Sequence, residues 1–447
     1  MLNTLFLPEI REMLAEGNGE ALREFCTTIH PASVAEFMSG LEEDEAWKVL
    51  GYADEHERTE IFLYFEPERQ LRIVERQDRQ EIAELIEKMA PDDRVDLLEF
   101  VDESIVKELL ALLPQEDRRD ILRLRAHPEN TAGAVMTTAV VKLPEEMTVR
   151  QALEALQQSD DVETIYYLYV VDESNHLRGL VSTRELISQL KRPETKLSDI
   201  METELITVDV DDDQEIVAQK VAKFDLLAIP VVDEQHRMLG IITYDDVIDV
   251  MVEEAVEDAH RIAGVDPLEE SYLRTSLLTL SWKRGIWLAV LFVFALVTAF
   301  ALRSYEDALT KWKWLVFFVP LIISSGGNTG SQSATLIITA LVRRDIELKD
   351  WWTVVKRELQ SGLILGGFLG VLGFIAALFV DQAAILVLPL TVILVVLCGT
   401  FFGSVLPLAF QRLGLDPALM SNPFVAGLID IVGIVIYLNI AIALLGT

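Results

Sequence analysis

Residues 320–336 read Pro-Leu-Ile-Ile-Ser-Ser-Gly-Gly-Asn-Thr-Gly-Ser-Gln-Ser-Ala-Thr-Leu, running from Pro320 to Leu336. Eight of the seventeen are Ser, Thr, Asn or Gln, and Gly326, Gly327 and Gly330 leave backbone bare, yet the segment lies inside an apolar run from 314 to 342. In lipid such a stretch is costly unless it lines water or packs against protein. Its hydroxyls, amides and carbonyls suit a hard, partly hydrated cation such as Mg²⁺. Its small residues also suit close helix packing, and the two readings are compatible.

Around it lie four more apolar runs, at 286–302, 362–380, 383–410 and 423–445. Each is close to the roughly 20 residues that a helix needs to cross a bilayer. Five spans put the two ends on opposite sides. Lys283, Arg284, Arg343, Arg344, Lys349, Lys356, Arg357 and Arg412 flank one side, against Arg303, Lys311 and Lys313 on the other, which places the N-terminal part in the cytosol. Inside the five runs the one ionisable residue is Asp430. A carboxylate at such depth costs about 2.5–3.5 kcal/mol on insertion scales, so it faces a pore or a partner. An ion site is the favoured reading, and a helix-to-helix hydrogen bond the other. Gly427 and Gly433 allow close approach, and Asp416 supplies a second carboxylate near the cytosolic end of the last span.

The 447 residues carry a net charge of −34, yet mean hydropathy is +0.30. The contradiction resolves when the chain is cut after Leu280. Residues 281–447 hold 11 Lys+Arg and 9 Asp+Glu, which leaves 27 and 63 for residues 1–280, so the net charges are +2 and −36. One globular domain is excluded, and an acidic cytosolic part argues against a nucleic-acid partner. Cys26 and Cys398 fall one in each part, which argues against a disulfide framework. The start of the chain lacks the basic and apolar regions of a signal peptide.

Within residues 136–256 a repeat is visible. Tyr169-Val170-Val171-Asp172-Glu173 with Gly179-Leu180-Val181-Ser182 returns 61 residues later as Pro230-Val231-Val232-Asp233-Glu234 with Gly240-Ile241-Ile242-Thr243. Each copy opens with a Met-Xaa-Thr element, Met136-Thr137-Thr138 and Met201-Glu202-Thr203. This resembles an α+β tandem CBS module, with units at about 136–193 and 200–246. Residues 1–130 read as an all-α helical solenoid. Pro67, Pro91 and Pro114 recur at 24 and 23 residues, each beside acidic residues that suit a helix N-terminus. At 247–275 an acidic connecting helix is expected. The stripe there, Asp246, Asp249, Glu253 or Glu254, and Glu257, suits divalent neutralisation better than a merely solvated face.

Taken together, Gly326-Gly327-Asn328-Thr329-Gly330-Ser331-Gln332-Ser333-Ala334-Thr335-Leu336, Asp416-Pro417-Ala418-Leu419, Ser421-Asn422-Pro423, Asp430-Ile431-Val432-Gly433 and Glu163-Thr164-Ile165-Tyr166-Tyr167 resemble the bacterial MgtE-type magnesium channel or transporter family over essentially the whole chain. The resemblance implies a multidomain homodimer in the bacterial plasma membrane: helical N domain (1–130), CBS pair (131–246), plug helix (247–275) and a five-helix transmembrane domain (276–447) around one central pore. It implies pore positions at Asp430, Asp416, Gly326, Asn328, Ala426 and Asn422. Regulatory Mg²⁺ positions carry over to Glu60, Asp92, Asp96, Asp213, Glu215, Ala222, Asp225, Asp246, Asp249, Glu254, Glu257 and Asp258. For a nucleotide such as ATP, Tyr169 matches the family's aromatic, whereas Glu185 stands where an Asp is usual.

The charge count supports a mechanism of its own. Two acidic cytosolic parts repel, and divalent ions between their faces offset the repulsion, so high internal Mg²⁺ is expected to close the pore and low Mg²⁺ to open it. Three alternatives stay open at this stage: a broader divalent transporter for Co²⁺, Ni²⁺ or Mn²⁺, a CBS-gated anion channel, and a membrane-embedded enzyme. The last is poorly supported because the spans contain no His and no base-nucleophile pair.

Overall fold

The computed structural model describes residues 6–158, 166–268 and 272–446. Glu163, Thr164 and Ile165 of the quoted CBS motif therefore lie outside the described residues. The chain divides into two compact units, Met1–Val252 and Glu253–Thr447.

The first unit begins with ten short helices: α1 (Leu7–Glu16), α2 (Gly19–Thr28), α3 (Pro31–Phe37), α4 (Glu43–Leu50), α5 (Glu55–Leu63), α6 (Pro67–Arg76), α7 (Arg79–Glu87), α8 (Pro91–Glu99), α9 (Glu103–Leu112) and α10 (Gln115–Leu124). Alternate helices pack together, α3, α5, α7 and α9 forming one row and α4, α6, α8 and α10 the other. The proline period of 24 and 23 residues is thus one helix pair, the repeat of a two-row solenoid. Pro67 and Pro91 occupy the first turns of α6 and α8, where a missing N–H costs nothing, while Pro114 stands one step earlier as the N-cap of α10.

After α11 (Ala132–Val135) come the two sheets. In the first, β1 (Lys142–Pro144) pairs parallel with β2 (Tyr167–Val171), which pairs antiparallel with β3 (Leu177–Ser182). In the second, β4 (Val208–Asp209), β5 (Ala228–Val232) and β6 (Met238–Thr243) repeat the order and the directions. The 61-residue offset holds to atomic detail. The bulge at Val170/Val171 recurs at Val231/Val232. Asp172 caps the turn amides of Ser174 and His176 as Asp233 caps those of Gln235 and Arg237. Helix α12 (Val149–Gln158) precedes β2, α13 (Thr183–Ser188) follows β3, and α14 (Gln214–Phe224) precedes β5.

The two copies also cross over in space. Each Met-Xaa-Thr element precedes one copy in sequence but pairs with the sheet of the other: Thr137 bonds Ile241 in β6, and Glu202 bonds Leu180 in β3. The equivalent glycines permit this. A Cβ on Gly240 would lie 2.3 Å from the Thr137 carbonyl oxygen, and one on Gly179 would lie 2.8 Å from that of Glu202. Gly240→Ala is therefore expected to destabilise this unit by about 2 kcal/mol through backbone overpacking. Thermal unfolding of the full chain in detergent would reveal it as a lower-temperature first transition.

Helix α15 (Tyr244–Ile262) starts three residues before the expected connecting helix and stops at Ile262 instead of reaching 275. The stop has a local cause. Gly264 adopts φ +75° and donates to the Arg261 carbonyl, Val265 donates to that of His260, and Pro267 follows. The unit boundary falls inside this helix.

In the second unit, five long helices follow the expected runs: α16 (Leu277–Ser304), α18 (Trp314–Val342), α19 (Trp351–Leu378), α20 (Ala384–Arg412) and α21 (Asn422–Leu445), with short α17 (Glu306–Lys311) after the first. Four are long and apolar enough to cross a membrane; α18 has the length, but its Ser, Asn, Thr and Gln lower its hydropathy. Helix α20 packs against α18, α19 and α21. Contact is close because glycine meets backbone: a Cβ on Gly399 would lie 2.7 Å from the Gly326 oxygen, and one on Gly403 would lie 2.3 Å from the Gly330 oxygen. Helix α19 begins eleven residues before the apolar run, and so carries Glu358 as a second carboxylate among these helices.

Candidate metal sites

Helix α18 divides its polar stretch among three faces. Gly326 and Gly330 press on α20, as the glycine contacts above show. Gly327, Ser331 and Thr335, four residues apart, face the end of α21 that carries Asn422, Ala426 and Asp430, also four apart. At Gly327 an added Cβ would lie 3.4 Å from the Ala426 Cβ and 3.5 Å from Asp430 Oδ1. Ser331 Oγ donates to the Asn422 carbonyl at 3.0 Å, and Thr335 Oγ1 donates to Asn422 Oδ1 at 3.1 Å. The third face, Ser324 and Asn328, is exposed, and Asn328 Nδ2 donates to Ser324 Oγ at 3.2 Å. Of the positions named from sequence, Asp430, Ala426 and Asn422 thus share one stripe. Asn328 lies on the adjoining exposed face, and Gly326 lies in the contact with α20, where Val395 and Ile429 surround it.

A second constellation lies in the first unit. The first turn of α8 carries Asp92 and Asp93, and the first turn of α15 carries Asp245 and Asp246. Burial, reinforced by Asp92, Asp96, Asp246 and Asp245, pushes the Asp93 carboxyl up to about 8. Burial and Asp92 likewise push Asp246 up to about 7, against the Thr243 hydroxyl that donates to its Oδ2 at 2.6 Å. Asp92 is raised for the same leading reason, and Thr137 donates to it. Its Oδ1 is buried without a hydrogen-bond partner. A carboxylate oxygen in that position is costly to leave unpaired, and a cation is the natural complement.

The third constellation belongs to the second unit. Glu254, Glu257 and Asp258 lie on the last turns of α15, and Asp416 caps the short turn Pro417–Leu419 between α20 and α21, where its Oδ1 accepts from Ala418 N at 2.8 Å. Burial, then Asp416 and Glu254, push Asp258 up to about 6. Arg261 pairs with both Glu257 and Asp416. The helix end is docked here, since a Cβ on Gly264 would lie 3.3 Å from Pro423 Cγ and 3.4 Å from Ser421 Oγ.

The remaining predicted positions are spread out. Glu60 is exposed beside His56, Asp96 and Asp249 are exposed, and Ala222 and Asp225 end α14, with Asp225 in the left-handed region at φ +52°. Asp213 caps α14 at the Glu215 amide, and the Glu215 carboxylate accepts from Gln219. Tyr169 is 1% exposed and packs in the core with Val171, Ala228, Met238 and Ile241, its hydroxyl buried without a partner. Glu185 accepts from Gln189 at 2.8 Å. Sequence reasoning missed Asp93, Asp245, Arg261 and Glu358. Glu358 accepts from Ser333 Oγ of α18 at 2.6 Å, a signal hidden because the apolar run was read only from Gly362. Among the described residues, no three His, Cys, Asp or Glu side chains form a ready chelate. An ion at these sites must therefore keep water or draw on further ligands, which suits Mg²⁺, a cation slow to dehydrate.

Comparison with known proteins finds three kinds of domain along the chain. Residues 319–440 match the model of the MgtE divalent cation transporter domain, 29–130 the MgtE intracellular N domain, and 132–192 and 197–253 the CBS domain. The magnesium transporter MgtE of Thermus thermophilus is 37% identical over 442 residues, covering 98% of both chains. That of Bacillus subtilis is 35% identical over 72% of this chain and 71% of its own. Among solved structures, the soluble part of a magnesium transporter superposes with TM-score 0.53 at 36% identity, covering 56% of this chain and 97% of that one. The cytosolic domain of the Mg²⁺ channel MgtE in complex with ATP gives 0.51 at 36% identity, covering 54% and 98%. The relatives are transporters, and on this identity across nearly its full length the chain belongs to the MgtE family of magnesium transporters.

Proposed function

We propose that the chain forms a homodimeric Mg²⁺ channel in the bacterial plasma membrane, with its first 280 residues in the cytosol. The observation that carries this reading is the pair of facing stripes on α18 and α21, with Asp430 as their carboxylate and the polar face of Ser324 and Asn328 left exposed beside them. An exposed polar face within a membrane helix calls for water or a second copy. Asp430, Ala426 and Asn422 would hold a hydrated cation through its waters, and inward movement is favoured by the membrane potential at about 4.6 kcal/mol per 100 mV for a divalent charge.

Gating follows from the cytosolic carboxylates. Bound Mg²⁺ would supply two positive charges and oxygen coordination to the Asp92, Asp93 and Asp246 group and to the Glu254, Glu257, Asp258 and Asp416 group. Freed of it, the ionised carboxylates repel, which loosens the N-terminal helices from α15 and α15 from the membrane helices. The closed state is thus the state of high internal Mg²⁺. The test is Mg²⁺ flux into liposomes holding the purified chain, with Mg²⁺ varied on the cytosolic face from micromolar to millimolar. Flux should fall as internal Mg²⁺ rises, and unchanged flux would sink the gating. Running Co²⁺, Ni²⁺ and Mn²⁺ in the same assay decides the broader divalent reading. Reversal in a chloride gradient decides the anion channel, which Asp430 disfavours. A nucleotide at the CBS pair, suggested by the relative's ATP complex, is a separate property; calorimetry with ATP, comparing Tyr169→Phe with the parent, tests it.

A further inference from the structure

Among the described residues, the carboxylates Glu254, Glu257, Asp258 and Asp416 gather around the C-terminal end of α15, with the Arg261 guanidinium among them. Arg261 is held in position by its surroundings. Ile262, the next residue, packs against the core of the membrane unit, and Gly264 stops the helix against Ser421 and Pro423. From that fixed point the Arg261 side chain turns back one helical turn to Glu257 and reaches across 155 positions of sequence to Asp416 Oδ2. Asp416 Oδ1 accepts from the Ala418 amide, while Oδ2 is the oxygen that meets the guanidinium. Arginine cannot release its proton at any ordinary pH, so this oxygen is never free of competition.

We propose that Arg261 is an internal counter-ion of this site: it occupies Asp416 and Glu257, and Mg²⁺ must displace it from Asp416 to bind. The inference rests on the reading that these carboxylates take regulatory Mg²⁺. A guanidinium and a divalent ion drawn to the same Asp416 oxygen repel each other, and the difference in their charge decides which holds it at a given Mg²⁺ concentration. With Arg261 in place the threshold is raised, so that closure awaits a replete cytosol. The exchange also keeps Glu257 and Asp416 compensated in the Mg²⁺-free site, which limits the repulsion that would drive α15 off its dock.

The experiment is hydrogen exchange of the backbone amides of residues 254–264 in the full chain in detergent, followed against Mg²⁺ concentration. In the parent protein Mg²⁺ should slow exchange here with a defined midpoint. Arg261→Gln should move that midpoint about tenfold lower, the scale expected when one charge leaves a partly exposed site. Arg261→Lys, which keeps the charge but loses the two-pronged fork, should fall between. A midpoint that stays put in Arg261→Gln, or that rises because Arg261 was only a tether, overturns the proposal. Asp416→Asn should lose most of the response at this segment. A parent protein with no Mg²⁺ response at 254–264 removes the regulatory reading and the inference with it; a normal response that Arg261→Gln leaves unmoved removes the inference alone.

Discussion

Replacing Asp430 with Ala should lower Mg²⁺ flux into liposomes at least about 100-fold, because charge-assisted hydrogen bonds to a hydrated ion contribute about 1.5–3 kcal/mol each and Asp430 is the acidic member of its stripe. The neighbours cannot take over. Ala426, one turn away, offers only backbone, and Asn422 is already engaged by Ser331 and Thr335. Asp430→Asn keeps size and hydrogen bonding but removes the charge, so it should retain more flux than Ala while discriminating less against monovalent ions. Flux is read with a Mg²⁺-sensitive dye at matched protein incorporation, and selectivity from reversal potentials. If Asp430→Ala carried Mg²⁺ as well as the parent, with selectivity intact, Asp430 would have no part in permeation and the facing stripes would be helix packing alone.

Asp430 was legible in sequence because burying a carboxylate in a span is expensive, and an expensive residue stands out in an apolar run. The CBS pair was legible because a duplication leaves its own measure, the 61-residue offset, which the two sheets reproduce down to their bulges. What stayed hidden depends on which surfaces meet. Sequence order assigned Met136-Thr137-Thr138 to the copy that follows it, whereas Gly240, lacking a Cβ, admits it to the other sheet. The family resemblance pointed to Asp92 and Asp96, yet Asp93 joins Asp92 in facing Asp245 and Asp246, and no pattern within α8 reports a charge arriving from α15. Arg261 carried no signal of its own, because its partner Asp416 lies 155 residues further along the chain. Glu358 was lost to a boundary, because apolar runs mark where lipid begins and helices start earlier.

The Asp92, Asp93 and Asp246 group should give the metal-free protein an inverted acid response. A carboxyl held above its ordinary range stays protonated in the folded state while its unfolded counterpart has already ionised, so unfolding releases a proton and stability falls as pH rises across that window. For Asp93 the window runs from 3.8 to about 8. Each unit is worth about 1.4 kcal/mol, so even at half strength for relaxation and solvent the folded state loses about 3 kcal/mol between the ends of the window. Asp246, raised to about 7, adds in the same direction up to its own limit. With chelator present, the first thermal transition of the full chain in detergent should therefore drop steadily from pH 5 to pH 8, opposite to a protein whose carboxylates are salt-bridged. Mg²⁺ binds the ionised form, so millimolar Mg²⁺ should restore the transition at pH 8 and do little at pH 5, by the mass-action rule that a ligand of the folded state stabilises it. Asp93→Asn should flatten the metal-free profile and blunt the Mg²⁺ response together, since one group supplies both. A transition that is flat or rises towards pH 8 without metal would mean that solvent reaches these carboxylates in the folded state, and the regulatory role assigned to them would have to move elsewhere on α15.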